Sequence, residues 1–188
     1  MNIELKRRTD ILLRSGNYFD YLAPERSVIE VTDIGYGLAR ASRFVGQTFE
    51  PYSVAEHSVE VSYLVPRQFA YDALMHDMVE AIMGDMPTPL KQLLPEYKRI
   101  ETAIEIVLFP RFGITYPMPD VVKLADRIML ATERRDLMPQ NDDVWTSTEG
   151  VQPLAKKLVP LANQAEAFNL FMNRYLELRP AACKYEST

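Results

Sequence analysis

Apolar residues recur at three- and four-residue spacing along most of the chain, and prolines and glycines fall where these runs stop. That pattern predicts helices and no strand. Ile3–Arg14 reads as a charged N-terminal helix ending at Gly16, followed by a loop over Asn17–Ser27 that carries Tyr18, Phe19 and Tyr21. Asp33 is the expected N-cap of a helix to about Arg43. After a loop over Phe44–Tyr52, Ser53-Val-Ala-Glu56 has the Ser-x-x-Glu form of a capping box, opening a helix that runs to about Val65 and stops at Pro66. Gln68–Met83 forms one long apolar-faced helix closed by Gly84, and Asp85–Lys91 a turn stiffened by two prolines. A helix from Pro95 reaches Phe112, with Pro110 ending or kinking it early. Pro119–Leu137 is a further helix closed by Pro139, residues 139–162 are loop-rich, and Asn163–Leu178 is a last amphipathic helix before a frayed tail.

These elements make the chain all-α, a single domain over residues 1–188 with about six or seven helices and its core over 32–138. Composition narrows the class further. One cysteine, Cys183, leaves no disulfide within the chain, and the N-terminus lacks a basic, apolar leader, so the expected location is the cytoplasm. No apolar run approaches the roughly 18–20 residues that span a bilayer, so no membrane partner is expected. With 21 Lys+Arg against 26 Asp+Glu, the net charge of −5 repels a phosphate backbone, so nucleic acid is not the expected partner either. There are only two histidines, His57 and His76.

His76, Asp77 and Glu80 interrupt the apolar face of the 68–83 helix, and their spacing of one, three and four residues lets all three converge. Three ionisable groups in an apolar helix are costly unless something pairs with them, and a divalent cation is the natural partner. His57 is the only other imidazole, and Asp126 breaks the apolar run from Val121 to Leu130. His57, His76, Asp77 and Asp126 would together offer two nitrogens and two oxygens, which suit zinc, manganese, iron, cobalt or nickel.

This arrangement resembles the HD-domain metal-dependent phosphohydrolases. The run His76-Asp-x-x-Glu80-x-x-x-Gly-Asp85-x-Pro-Thr-Pro-x-Lys91, with Glu56-His57-Ser58 and the Arg43-Phe44 pair, is similar to bacterial 5′-deoxynucleotidases and phage dATP triphosphohydrolases, over roughly residues 32–138. Two features depart from those relatives. Eighteen residues separate His57 from His76, a shorter interval than theirs, and Gln47 stands where many close relatives carry His.

The resemblance implies an enzyme with one divalent metal ion (Mn, Co, Zn, Fe, Ni or Mg) held by His57, His76, Asp77 and Asp126. Glu80 would position or deprotonate the attacking water, Asp85 would accept a proton or touch substrate, and Arg43 would hold phosphate. Phe44, Lys91 and Glu133 are further substrate contacts on this reading, Glu133 alternatively supporting the ligands from behind. The expected reaction is attack of a metal-activated water on the α-phosphorus of a nucleotide. A deoxynucleoside monophosphate would yield nucleoside and phosphate, and a triphosphate would yield tripolyphosphate. Basic groups beside the site, such as Lys91, Arg134 or Arg135, would favour the longer phosphate chain, and the run Ala131-Thr-Glu133-Arg134-Arg135-Asp136-Leu-Met138, which resembles phage and prophage members, shifts the expectation slightly toward the triphosphate. Tyr18, Phe19 and Trp145 fall in loops, where an aromatic stacks on a base or packs against a helix. The rival readings are a non-catalytic HD module that senses a nucleotide, and a phosphodiesterase acting on another phosphoester. By resemblance the protein is a homo-oligomer.

Overall fold

The structure is a computed structural model that describes residues 8–161 and 163–180. Residues 3–7 of the helix expected over Ile3–Arg14 and the tail beyond 180, with Cys183, lie outside the described residues.

The chain is predominantly helical, with one small antiparallel ribbon where a helix was expected. Strand β1 (Asp10–Leu12) pairs with β2 (Tyr18–Asp20), setting Ile11 opposite Phe19. Local pattern fails here because the partner is non-local: Phe19 is fully buried in the core, and Gly16, at φ 90°, turns the chain back between the strands. The ribbon's turn is tied to the next element, since Asp33 accepts from the amides of Ser15 (2.8 Å) and Glu30 (3.0 Å). Asp33 is therefore the third residue of helix α1 (Val31–Arg40) rather than its cap, and Glu30 caps it in a reciprocal box.

Helix α2 (Val54–Tyr63) begins at the expected Ser53/Glu56 capping box. It is the central helix, packing against α1, α7 (Asp120–Leu137) and α8 (Gln164–Leu178), with α3 (Ala70–Met75) alongside. The long helix expected over Gln68–Met83 is broken into α3 and α4 (Glu80–Met83). His76 Nδ1 lies 2.7 Å from the Ala73 carbonyl, which in an unbroken helix would accept the Asp77 amide. The backbone tightens to three-residue bonds through the gap, as in Met78 N to Met75 O (3.0 Å) and Glu80 N to Asp77 O (2.9 Å). The stiff turn expected over Asp85–Lys91 is partly helical, because Pro89 sits in the first turn of α5 (Thr88–Leu93), where a missing amide costs nothing. Helix α6 (Pro95–Arg111) contains Pro110 in its last turn. These differences bring the described residues to eight α-helices.

Two apolar clusters fill the interior. One joins Ile34 and Leu38 of α1 to Leu74 and Met75 of α3, Ile104 and Leu108 of α6 and Phe171 of α8. The other packs Val61 of α2 and Ala73 of α3 against Val122, Ala125 and Met129 of α7. Where α1 crosses α4 the backbones nearly touch: a Cβ on Gly37 would stand 2.7 Å from the Ala81 Cα. No described helix is long and apolar enough to cross a membrane.

Candidate metal centre and cavity

Three helical segments converge on both histidines. His57 projects from the first turn of α2 and is fully buried; His76 and Asp77 occupy the tight turn between α3 and α4; Asp126 comes from α7. The Nε2 atoms of His57 and His76 face each other at 3.4 Å. Asp126 Oδ1 lies 3.2 Å from His57 Nε2 and 4.0 Å from His76 Nε2, and Asp77 Oδ2 lies 3.6 Å and 3.2 Å from the same two nitrogens. One atom each from His57, His76 and Asp126 falls within a 4.8 Å group, with Asp77 beside it.

The other ring nitrogens decide what this cluster fits. His57 Nδ1 lies 2.6 Å from Glu133 Oε1 and His76 Nδ1 lies 2.7 Å from the Ala73 carbonyl. Both partners only accept, so each Nδ1 carries a hydrogen, and each Nε2 is the ring nitrogen turned toward the carboxylate oxygens, where it can carry a second proton or offer its lone pair to a cation. Electron-rich atoms gathered this closely call for a positive charge among them. Burial and nearby Arg43 oppose a proton on His57, yet Glu133 and Asp126 outweigh them and push its pKa up to about 10. The same field favours a divalent cation, for which two imidazoles and carboxylates are a suitable donor set.

A cavity of about 760 Å³ opens beside the centre, within the range of small-molecule sites. Of the residues singled out in the sequence, Arg43, Phe44, Asp77, Glu80, Asp85, Lys91 and Asp126 line it. Glu80 Oε2 is buried without a hydrogen-bond partner, and burial beside Asp77 and Asp85 raises its pKa well above the ordinary carboxylate value. Arg43 is nearly buried and already engaged, donating from one terminal nitrogen to Asp85 (3.1 Å) and from the other to Glu133 (3.1 Å). Lys91 lines the cavity with its Nζ bound to Glu101 at 2.7 Å.

The remaining expected contacts lie elsewhere. Glu133 is fully buried behind His57 and is not among the cavity-lining residues, a position that matches the alternative reading of support from behind the ligands. Arg134 donates to Asn141 and to the Asp143 carbonyl, and Arg135 to Asp136 and the carbonyls of Leu154 and Lys156; neither lines the cavity. Of the loop aromatics, Phe19 is core, Tyr18 is exposed on the ribbon under Arg8, and Trp145 lines the cavity. Pro87-Thr88-Pro89, part of the run that carries the resemblance, also lines the wall, whereas sequence reasoning missed Thr146 and Ser147 after α7, because loop residues carry no periodicity to place them.

The chain is 43% identical to YfdR of Escherichia coli, an uncharacterized protein, over 87% of this chain and 92% of YfdR. An uncharacterized protein of Rhodobacter capsulatus is 36% identical over 59% of this chain and 62% of its own length. Similarity to 5′-deoxynucleotidases is more distant: that of Vibrio parahaemolyticus is 33% identical, over 31% of this chain and 41% of that protein. No protein-family model matches the chain.

Proposed function

The chain belongs to the family of Escherichia coli YfdR, and from this premise we propose that it is a metal-dependent phosphohydrolase of deoxynucleotides, of the HD-domain kind. The observation that carries the reading is the convergence of His57, His76, Asp77 and Asp126 beside a cavity that also holds Arg43 and Glu80. The 5′-deoxynucleotidase names of distant relatives support the substrate class.

His57, His76, Asp77 and Asp126 would hold one divalent cation, and Mn, Co, Zn, Fe, Ni and Mg all remain compatible with this set. When bound, such a cation lowers the pKa of water and neutralises phosphate charge. Water attacks the α-phosphorus and its proton passes to Glu80; as the bond between phosphorus and the sugar oxygen breaks, that proton is returned to the leaving oxygen, so that nucleoside and inorganic phosphate are released. Glu80 suits the task because its unpartnered oxygen is free to take that proton. Arg43 balances charge building on the phosphate oxygens, and Asp85 holds the guanidinium in place for it.

The geometry favours a monophosphate over a triphosphate. The cavity offers two cationic side chains among its lining residues, Arg43 and Lys91, and each is already paired with a carboxylate. Arg134 and Arg135, which would have served a longer phosphate chain, are committed to the loop after α7. A homo-oligomer completes the reading, on resemblance. The test is a screen of the four deoxynucleoside 5′-monophosphates and the four triphosphates with Mn²⁺, Co²⁺, Mg²⁺ or Zn²⁺. Release of inorganic phosphate from monophosphates, lost in Asp77→Ala, is expected. Tripolyphosphate as the main product would reverse the preference, and turnover that survives in Asp77→Ala would sink the metal assignment.

A further inference from the structure

Trp145 is the single tryptophan of the chain, and it lines the same cavity as Asp77, Glu80 and Arg43 although it comes from the loop after α7. A row of planar groups leads to it. The Arg43 guanidinium lies 5.4 Å from the centre of the Phe44 ring, that ring lies 6.0 Å from the Trp145 ring at a tilt of 51°, and the Arg134 guanidinium lies 4.8 Å from the indole.

Both aromatic residues are held firmly. Arg127 of α7 donates to the carbonyls of Ser147 (2.9 Å) and Glu149 (3.0 Å), Arg134 donates to Asn141 (3.1 Å), and the Trp145 carbonyl accepts from the Thr148 amide (2.9 Å). Phe44 and Val45 both sit in the left-handed region, at φ 54° and 55°, which non-glycine residues rarely adopt. Bonds from Arg43 N to Tyr52 O (2.9 Å) and from Gln47 N to Phe44 O (3.0 Å) fix this turn. Backbone strain of this kind persists where the surroundings over-determine it, and it gathers at ligand sites.

The lining beyond Arg43 indicates the ligand's chemistry. Gln47, Gln92, Thr146 and Ser147 add amides and hydroxyls that both donate and accept, next to the half-buried Trp145 ring. Such a surface matches a flat heteroaromatic ring with donors and acceptors on its edge. We propose that Trp145 is the base-recognition residue of this cavity: the nucleobase of a bound nucleotide stacks on its indole while the phosphate lies at Arg43, beside the residues that would hold the cation. The phosphate end of this placement rests on the phosphohydrolase reading; the stacking end does not require hydrolysis.

Because Trp145 is alone, its fluorescence reports on the subsite. Chelator-treated full-length protein is titrated with 2′-deoxyadenosine 5′-monophosphate and, separately, with 2-deoxyribose 5-phosphate, which lacks the base. The expected result is a saturable fluorescence change with the nucleotide and none with the sugar phosphate at the same concentrations. In turnover, Trp145→Ala is expected to raise KM about tenfold with a smaller effect on kcat, and Trp145→Phe to restore most of it. Equal KM in wild type and Trp145→Ala would overturn the subsite and leave the phosphohydrolase reading standing. A saturable fluorescence change without turnover of any nucleotide would keep the subsite and overturn hydrolysis. Neither response would overturn both.

Discussion

Glu133 Oε1 lies 2.6 Å from Nδ1 of His57, with both side chains fully buried, while Glu133 Oε2 accepts from Arg43 at 3.1 Å. One carboxylate therefore orients an imidazole of the centre and the guanidinium of the cavity together. Carboxylates placed in this way fix ring orientation and raise ligand basicity. Glu133→Gln is expected to weaken Mn²⁺ binding by about 10–100-fold, read by calorimetric titration. Unchanged affinity would show that His57 keeps its orientation without Glu133.

Glu80 stands apart from the cluster's hydrogen bonds, with one buried oxygen unpartnered. Glu80→Gln keeps the shape and removes the proton acceptor. Its expected effect is a fall in kcat of about 10²–10⁴-fold with cation affinity little changed. A parallel loss of cation binding would place Glu80 among the ligands instead.

Gly37 is where α1 meets α4, the helix that begins at Glu80. A methyl group there runs into the Ala81 backbone, which cannot swing aside like a side chain. Gly37→Ala is expected to destabilise the fold by about 1–3 kcal/mol, lowering Tm by about 2–4 °C for each kcal/mol. A Tm equal to that of the wild type would mean that the crossing is looser than its geometry implies.

Glu101 accepts from Lys91 and Lys98 at 2.7 Å each. Burial pushes its pKa up, but the two lysines prevail and hold it below its ordinary value of 4.5. A carboxyl depressed in this way binds its proton more weakly when folded than when unfolded. Its stabilising contribution is therefore complete above the unfolded value and is lost as pH falls through the folded one. Glu101→Gln should be less stable than wild type at neutral pH, and the gap between their denaturant midpoints should close between about pH 5 and pH 3. A gap that stays constant with pH would remove the charge pair as its cause.

The helical class, the cap at Ser53 and the convergence of His57, His76, Asp77 and Asp126 were all legible in the sequence, because periodicity and side-chain chemistry report them directly. The ribbon at Asp10–Asp20 was not, since its stability comes from burying Phe19 against distant helices. The break at His76 was hidden for a related reason: an imidazole that takes a backbone carbonyl looks, in sequence, like any residue on an apolar face. Glu133 was noticed, but only the packing of α7 against α2 shows that it stands behind His57 rather than in the cavity. Trp145 could be read as packing or as a base contact until the loop's anchoring by Arg127 and Arg134 placed it on the cavity wall.

The most direct test strips the protein with a chelator and follows phosphate release from a deoxynucleoside 5′-monophosphate while a single divalent cation is titrated back. The account expects no release at the start and recovery that saturates near one cation per chain, with none in His76→Ala or Asp126→Ala at the same concentrations. Full activity in the stripped protein, or recovery in either variant equal to wild type, would contradict it.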